Sequence, residues 1–363
     1  MKKTVITTAC AFAVMALLPL ISIGTTADTE KTTVSATEES SETNVFSIPE
    51  PSTTESSISE NSNTLYNEFR ILDTGSGNII SVDDRTFCCG ALAYEMLPNS
   101  EKEALKAQCI ACYTHFCRLR ENSRKNPDNE INGADFRADL SSGEYYMSDD
   151  IMKSRWGNLY EQSRKKIEQA VDECNFTVIT DSEGQLIDAA YHAMSSGMTE
   201  SAEDIFGKAD EHLVPVSSPW DKAAPDYISE ETVSVQEFCE KLLDGDTKKY
   251  SENLPVSLNR TNSGAVLEAA IDGKAYTGAE IRYLFSLRSA DFDIKLNKDS
   301  ATFTVRGYGH GVGLSQTGAE GMAKDGSDFR EILLHYYSAC ELRTIHNYNK
   351  KRPLFLHTQR SQF

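Results

Sequence analysis

The residues "RGYGHGVGLSQTGAEGMAKDG", Arg306 to Gly326, form the most distinctive pattern in the chain. In the first part, four glycines alternate with larger side chains. An extended chain with this pattern has its side chains on one side and bare backbone on the other. Bare backbone permits the close approach of another chain or a ligand. The second part predicts a helix, because Ser315 can cap its start and Gly326 can end it.

The glycine spacing does not match the loops that bind phosphate. It is neither G-x-G-x-x-G nor followed by G-K-[ST], so a nucleotide loop is disfavoured. The formal net charge of the 363 residues is −19. A chain this acidic repels phosphate backbones, and we therefore expect no nucleic-acid partner.

The N-terminus has the features of an export segment. Lys2 and Lys3 precede an apolar run, Ala9–Gly24, and small polar residues follow it. Cleavage after Ala27 would secrete the protein. Alternatively, Val5–Gly24 is about long enough to span a bilayer as a helix and would leave a single-pass anchor with the bulk of the chain outside. Residues 1–27 are therefore predicted to be a signal or membrane-anchor segment.

The next region, residues 28–65, is rich in serine, threonine and glutamate and has few large apolar residues. Such a segment cannot offset its ordering entropy by burial, so we predict a disordered linker. From residue 66 the composition is that of a globular protein. Residues 66–363 are predicted to form one globular domain.

The globular part mixes helix and strand signals without a regular βαβ alternation, which predicts an α+β fold. Helix starts are predicted at three capping boxes: Ser100/Glu103, Ser234/Glu237 and Thr277/Glu280. A helical region with a break near Gly157 covers residues 148–174, and a closing helix lies near residues 327–339. Two strands are predicted in residues 68–84, and hairpins at 176–194 and 291–307.

Nine cysteines are present, but their spacing is not the dense, even pattern of a disulfide-stapled domain. Most lie at apolar positions and are expected to be buried thiols. A zinc site from Cys109, Cys112 and His115 is disfavoured, because one helix rarely surrounds a tetrahedral ion alone. We predict no metal and no other cofactor.

The segment "GYGHGVGLSQTGAEGMAKDGSDFREILLHYYSACEL" resembles the signature of the SpoIID/LytB family. Three more stretches resemble family motifs in the same order: "EMLPNSEKEALKAQCIACYTH", "AAYHAMSSGMTESAEDIFG" and "YTGAEIRYLFSLRSADFDI". The resemblance implies a lytic transglycosylase acting on peptidoglycan during sporulation. It also implies anchoring in the mother-cell membrane facing the forespore, with a SpoIIP-like amidase and other engulfment membrane proteins as partners.

The resemblance assigns the catalytic acid to Glu95. The residue lies among apolar neighbours in "ALAYEML", and burial there would raise its pKa. A protonated carboxyl can donate to the glycosidic oxygen between MurNAc and GlcNAc. The carboxylate can then take the proton of the MurNAc C6 hydroxyl as a 1,6-anhydro ring closes. Glu103 is assigned to helix capping.

Further substrate contacts are predicted where polar residues match the family motifs, and these suit sugar hydroxyls and acetamido groups. They are Gln108, Ser195, Ser196, Thr199, Glu200, His310, Ser315 and Gln316, with Tyr191 and Tyr308 as faces on which sugars could stack. We expect a glycan groove lined by the Glu95 turn, the Ser195–Glu200 loop and residues 307–316. Arg282 and Arg288 are assigned to structural ion pairs.

Two departures from the family pattern stand out. Tyr113 occupies a position where members usually have arginine. The stretch "DLSSGEYYM" has no Cys or His where some members carry a zinc site, so no metal is predicted there. The alternative to an enzyme is a non-catalytic wall-binding scaffold that recruits or stimulates an amidase. As substrate we expect denuded glycan, because stem peptides carry carboxylates that an acidic domain repels.

Overall fold

The computed structural model describes residues 68–345. The predicted anchor, 1–27, and the whole of the predicted linker, 28–65, lie outside the described residues. Within residues 68–345, every helix is too short or too polar to cross a bilayer. Helices and antiparallel and parallel strands are intermixed along this part of the chain, which confirms the predicted α+β class.

Helices and strands alternate irregularly. The helices are α1 (Asp84–Glu95), α2 (Lys102–Lys125), α3 (Asp149–Trp156), α4 (Tyr160–Cys174), α5 (Ala202–Phe206), α6 (Val235–Leu242), α7 (Gly278–Leu284), α8 (Gln316–Lys324) and α9 (Phe329–Tyr336). The strands are β1 (Glu68–Asp73), β2 (Ile79–Asp83), β3 (Phe136–Ala138), β4 (Thr177–Thr180), β5 (Tyr191–His192), β6 (Ile228–Ser234), β7 (Val256–Arg260), β8 (Val266–Ile271), β9 (Lys274–Thr277), β10 (Phe292–Leu296), β11 (Ser300–Arg306), β12 (Leu314–Ser315) and β13 (Glu341–Thr344).

The two larger of the three hydrophobic cores in residues 68–345 define two lobes, and the small third core, around Met147 and Met152, lies in the first. The first lobe, residues 68–218 and 307–345, is built around α2, which is buried along most of its length. Its small sheets have the strand orders β2-β1-β3, β4-β13 and β5-β12. The second lobe, residues 228–306, holds a separate core between the sheets β10-β11-β6 and β7-β8-β9. The chain enters the second lobe on β6 and leaves it on β11, and these two strands are antiparallel neighbours.

The glycine segment, residues 307–313, is where the two lobes meet. Tyr308 forms a bridge with Met194, and Val312 forms one with Glu200, both in the first lobe. Gly309 forms a bridge with Ser289 in the second lobe. The expected close approach of bare backbone is therefore confirmed.

The glycines do not continue a regular strand, which corrects the expected extended geometry. Gly307, Gly309, Gly311 and Gly313 all have left-handed φ, from 73° to 110°. Side chains other than glycine rarely adopt this conformation. A Cβ on Gly313 would lie 2.0 Å from the carbonyl oxygen of Ala190, which is far inside contact distance. These positions need glycine for both conformation and space.

Most predicted helix boundaries are confirmed. The hydroxyl of Ser234 accepts from the Glu237 amide at 3.1 Å at the start of α6. Thr277 and Glu280 form a complete capping box on α7. Ser315 caps α8 by accepting from the Gly318 amide at 3.1 Å.

The capping box predicted at Ser100 is wrong. Helix α2 begins at Lys102, and the preceding residue makes no side-chain cap. The carboxylate of Glu103 instead binds Lys106 at 2.8 Å and accepts from the amide of Phe329 at 3.0 Å. Phe329 is the first residue of α9, so Glu103 stabilises the start of a distant helix and ties it to α2.

One of the two predicted hairpins is shorter than predicted. Strands β10 and β11 pair antiparallel as predicted. In residues 176–194 the turn forms, Thr180 makes an antiparallel bridge with Leu186, and the Ile187 amide donates to the Ile179 carbonyl at 3.2 Å. However, β4 pairs with the C-terminal strand β13, and β5 pairs in parallel with β12. The parallel partner is supplied by the glycine segment, which the local sequence of 176–194 cannot reveal.

We predict that Gly313→Ala destabilises the protein much more than Gly273→Ala. The two glycines have nearly equal φ, 74° and 77°, but nothing lies within 4 Å of a Cβ at Gly273. Both variants should lose about 1 kcal/mol for the left-handed conformation. Gly313→Ala should lose at least about 2 kcal/mol more, because a backbone carbonyl must move. Denaturant unfolding measures the difference, and equal losses would contradict the close approach.

Candidate active site

Glu95 is the last residue of α1. Helix α1 starts after Asp83, whose side chain accepts from the Thr86 amide, and its apolar residues are buried in the first core. The sequence did not identify this helix, because the apolar run is short. Its length sets Glu95 at the carbonyl end, where the helix dipole disfavours a negative charge.

Two side chains from distant parts of the chain bind the Glu95 carboxyl. The Tyr191 hydroxyl lies 3.0 Å from Oε1, and the Gln316 amide nitrogen lies 3.3 Å from Oε2. Tyr191 is in β5, and Gln316 opens α8 directly after β12. The parallel register Leu314 to Tyr191 therefore brings both donors to the acid. Three predicted site residues are joined in this cluster.

Burial raises the pKa of Glu95 to about 7. The hydrogen bonds from Tyr191 and Gln316 and the nearby His115 act in the opposite direction but do not outweigh desolvation. Near neutral pH the carboxyl is therefore present in both protonation states. Such a group can give up a proton in one step and recover it in the next.

Tyr191 contacts the acid through its hydroxyl, a role that the sequence did not indicate. The hydroxyl also lies 3.7 Å from the Cys112 sulfur. The His115 ring stands edge-on to the Tyr191 ring, with centroids 6.4 Å apart. His115 lies one turn after Cys112 on α2. Residues three apart on a helix lie on the same face, so the spacing of His115 from Cys112 was the signal in the sequence that could have placed His115 beside the acid.

His310 is part of a pair of neutral histidines. Its Nδ1 accepts from the Val312 amide at 3.1 Å, and the Nδ1 of His192 donates to the Val312 carbonyl at 3.1 Å. The two ring centroids are 5.7 Å apart. Burial lowers the pKa of His310 to about 4 and that of His192 to about 3. Both rings are therefore uncharged at neutral pH.

Ser195 and Ser315 meet at a buried carboxylate, Asp221. The amide and hydroxyl of Ser195 both donate to one oxygen, and the Ser315 hydroxyl donates to the other at 2.8 Å. Burial raises the pKa of Asp221. The two serines are 1% and 0% exposed. In this structure both serines support the site from inside, and their direct contact with a sugar stays a prediction.

Thr199 and Glu200 are also used inside the protein. The Thr199 hydroxyl accepts from the Val216 amide at 2.8 Å. Glu200 Oε1 accepts from the Ala265 amide at 3.0 Å, while Oε2 has no hydrogen-bond partner among residues 68–345. Burial raises the pKa of Glu200. The contact between Glu200 and Ala265 joins the 195–200 loop to the second lobe, whereas the contact between Thr199 and Val216 lies within the first.

Ser196 and Gln108 complete the predicted set. Ser196 is half-buried, and its hydroxyl donates to the Ser263 carbonyl at 2.9 Å. Gln108 is 0% exposed, one turn before Cys112 on α2. Neither atom of its amide finds a partner in the described part of the chain. Direct sugar contact by either residue stays a prediction.

The two arginines assigned to ion pairs differ. Arg288 pairs with Asp226 at 2.9 Å, as predicted, and its guanidinium lies 4.6 Å from the centre of the Tyr308 ring. Arg282 makes no ion pair with any residue between 68 and 345, so its assignment was wrong. Its Nε donates to the Leu287 carbonyl at 3.3 Å.

Tyr113 lies in the core. It is 2% exposed and donates its hydroxyl to Asp84 Oδ2 at 2.5 Å. Arg120 binds the same carboxylate at 2.7 Å. Tyr113 thus completes a buried cluster that already contains one guanidinium.

Within 68–345 no three His, Cys, Asp or Glu side chains come together as a metal site. The eight cysteines in this range are free thiols.

Comparison with known proteins gives consistent matches. A family model described as "Stage II sporulation protein" matches residues 73–180. The stage II sporulation protein D of Bacillus amyloliquefaciens is 36% identical over 270 residues, which are 74% of this chain and 76% of that protein. The protein of the same name from Bacillus subtilis is 35% identical over 272 residues, 74% of this chain and 77% of its own length. An "Amidase enhancer" of Bacillus subtilis is 22% identical over 308 residues, 70% of this chain and 40% of that protein.

We predict that Glu95→Gln changes the pH dependence of stability. The raised pKa of Glu95 means that folding favours its protonated form. Its favourable contribution is therefore complete at pH 4 and is lost as pH rises toward 7. We compare the unfolding free energy of the variant with that of wild type at each pH. This difference should favour the variant by about 2–3 kcal/mol more at pH 8 than at pH 4.

The matched control is Glu252→Gln, the same replacement at an exposed loop position. Denaturant titrations at both pH values measure the effect. If Glu95→Gln shifts stability equally at pH 4 and pH 8, Glu95 is not desolvated as described.

Proposed function

Because the chain belongs to the family of stage II sporulation protein D, we propose that it is a peptidoglycan lytic transglycosylase that acts during sporulation. It cleaves the bond between MurNAc and GlcNAc in glycan strands. The observation that carries this proposal is the Glu95 carboxyl, with a pKa near 7, held by donors from two distant segments.

In the first step, protonated Glu95 donates its proton to the oxygen that joins MurNAc C1 to GlcNAc. The C1–O bond breaks, GlcNAc leaves as an alcohol, and positive charge develops on the MurNAc ring. Glu95 is now a carboxylate. The hydrogen bonds from Tyr191 and Gln316 stabilise this form, since both side chains donate to it.

In the second step, the C6 hydroxyl of the same MurNAc attacks C1. The Glu95 carboxylate accepts the hydroxyl proton, and the 1,6-anhydro ring closes. The proton lost in the first step is regained, so the enzyme returns to its starting state and no water is consumed. One carboxyl that changes its protonation state twice is sufficient for this reaction.

A non-catalytic role is the second candidate. The similarity to a protein named "Amidase enhancer" favours a wall-binding scaffold that stimulates an amidase. The two proposals differ at Glu95. A scaffold gives no reason for a carboxyl that is desolvated and yet bound by two donors, whereas acid catalysis needs both features.

The proposed setting follows from the predicted N-terminal segment and the family. The segment anchors the chain in the mother-cell membrane, and the globular part lies outside the cytoplasm. If the segment is cleaved, the protein is secreted. A SpoIIP-like amidase and other engulfment membrane proteins act beside it, and the amidase supplies denuded glycan.

We predict that Glu95→Gln reduces cleavage of denuded glycan by about 10²–10⁴-fold or more, because the amide cannot release and recover a proton. Mass analysis of the products should find 1,6-anhydro-MurNAc ends with wild type and with Glu252→Gln. Binding of glycan should remain. Undiminished cleavage by Glu95→Gln would exclude Glu95 as the acid, and absence of cleavage by wild type would favour the scaffold.

We also predict that wild type prefers denuded strands to peptide-bearing wall, with little recovery when salt is added. Salt screens exposed charges over about 10 Å at 0.1 M. Persistent discrimination therefore indicates steric exclusion by the stem peptides from a narrow groove. The measurement is the cutting rate on both substrates at 0.05 and 0.5 M salt. This increase in salt shortens the Debye length by a factor of about three. Equal cutting at low salt contradicts the preference, and recovery in salt assigns it to charge repulsion.

A further inference from the structure

Arg282 stands apart from the other arginines of the second lobe. Residues 228–306 contain four arginines. Arg260 and Arg306 pair with aspartates of the same lobe, and Arg288 pairs with Asp226. Within residues 68–345, the Arg282 side chain makes a single hydrogen bond, from its Nε to the Leu287 carbonyl. Among residues 68–345, its terminal guanidinium nitrogens have no partner and are left for a ligand.

The backbone around Arg282 links it to the glycine segment. The Arg282 carbonyl accepts from the Leu287 amide at 2.9 Å, which folds the chain back after α7. The next residue, Arg288, accepts from the Gly309 amide at 2.9 Å, and Ser289 forms a bridge with Gly309. Arg282 is therefore on the part of the second lobe that packs against the residue preceding His310.

The surroundings of Arg282 do not neutralise its charge. Its charge acts on both His310 and His192, and both rings are neutral at pH 7. The nearby carboxylate that acts on His310 is Asp188, which is engaged with His115 at 3.8 Å and Arg118 at 4.0 Å. In addition, the Nε2 of His192 is buried without a partner among the described residues. A guanidinium whose terminal N–H groups are unpaired within residues 68–345 is suited to an anionic ligand.

Strand β5 connects the surroundings of Glu95 to those of Arg282. Tyr191 binds Glu95 with its hydroxyl, and the His310 ring lies against the Tyr191 backbone. The next residue, His192, contacts the same Val312 that binds His310. Two consecutive residues, Tyr191 and His192, therefore connect the surroundings of Glu95 to the histidine pair on which the Arg282 charge acts.

Denuded glycan carries an anion that fits this site. Hydrolysis of the amide between the lactyl group of MurNAc and the stem peptide consumes one water. It leaves an amine on the peptide and a carboxylate on the lactyl ether of the sugar. We propose that Arg282 binds this lactyl carboxylate and so selects strands from which the peptide has been removed. The proposal rests on the proposed function and names the feature of the substrate that is recognised.

The net negative charge of the chain makes the contact between Arg282 and the lactyl carboxylate important for binding. A protein with a net charge of −19 repels a polyanionic strand at long range. A local guanidinium can reverse this at short range, because it binds a carboxylate through two parallel hydrogen bonds. An intact stem peptide converts the same carboxyl into an amide, which removes the charge that the guanidinium binds.

The test measures binding rather than cleavage. The full-length Glu95→Gln chain is titrated with denuded glycan strands and with the same strands after conversion of their lactyl carboxylates to primary amides. We expect the amidated strands to bind about tenfold more weakly, as for the loss of a charge-assisted hydrogen bond. Adding Arg282→Gln should weaken binding of carboxylate strands about tenfold and leave amidated strands within about twofold.

Two further variants control for charge and shape. Lys298→Gln removes one positive charge at an exposed turn of the same lobe and should change neither affinity by more than about twofold. Arg282→Lys keeps the charge and should recover part of the affinity for carboxylate strands. Thermal unfolding of each variant checks that the fold is retained.

Several outcomes would overturn the proposal. If Arg282→Gln weakens the binding of both kinds of strand equally, Arg282 has a structural role. If it weakens the binding of neither, Arg282 is not part of the glycan site. If Arg282→Gln does not fold, the comparison of the two ligands on the Glu95→Gln chain decides, and equal affinities overturn the proposal. A chain that binds as expected but never cleaves contradicts only the proposed transglycosylase activity.

Discussion

Everything at the candidate site depends on the close approach of bare backbone between residues 307–313 and residues 190–200. Only glycine tolerates both the left-handed φ and the short distances found there, such as the 2.0 Å between a Cβ at Gly313 and the Ala190 carbonyl. This approach forms the parallel pair β5-β12. The pair in turn brings Tyr191 and Gln316 to Glu95. The alternating glycines therefore assemble the acid's surroundings without touching the acid themselves.

The pKa of Glu95 is set by opposing effects of unequal size. Burial and the carbonyl end of a helix favour the neutral acid, while two donated hydrogen bonds favour the carboxylate. Burial is the larger effect, so the pKa rises, but the donors keep it within reach of neutral pH. A similar burial without donors would leave a permanently protonated group. Asp221 is also buried, but its oxygens are occupied by serine donors, and it supports the loop and the start of α8.

Local patterns in the sequence predicted the elements that local chemistry controls. The caps at Ser234, Thr277 and Ser315 and the break near Gly157 were found because each depends on residues within one turn. Long-range partners were not found. Nothing near Glu103 indicates that it accepts from α9, and the pairing of β5 is supplied by a segment more than a hundred residues away. Resemblance singled out Glu95 as the candidate acid, but only the fold showed that several of the predicted polar residues form hydrogen bonds inside the protein.

The second lobe begins and ends on neighbouring antiparallel strands, with Ile228 opposite Arg306. Its two chain ends therefore lie side by side, in the manner of a domain inserted into a loop of another. An insertion of this kind can change in size or sequence while the chain on either side keeps its path. The acid and its two donors belong to the first lobe, whereas Arg282 belongs to the insertion. Under the two proposals made above, bond cleavage and the choice of strand are encoded in separable parts of one polypeptide, so that selection could alter one while preserving the other.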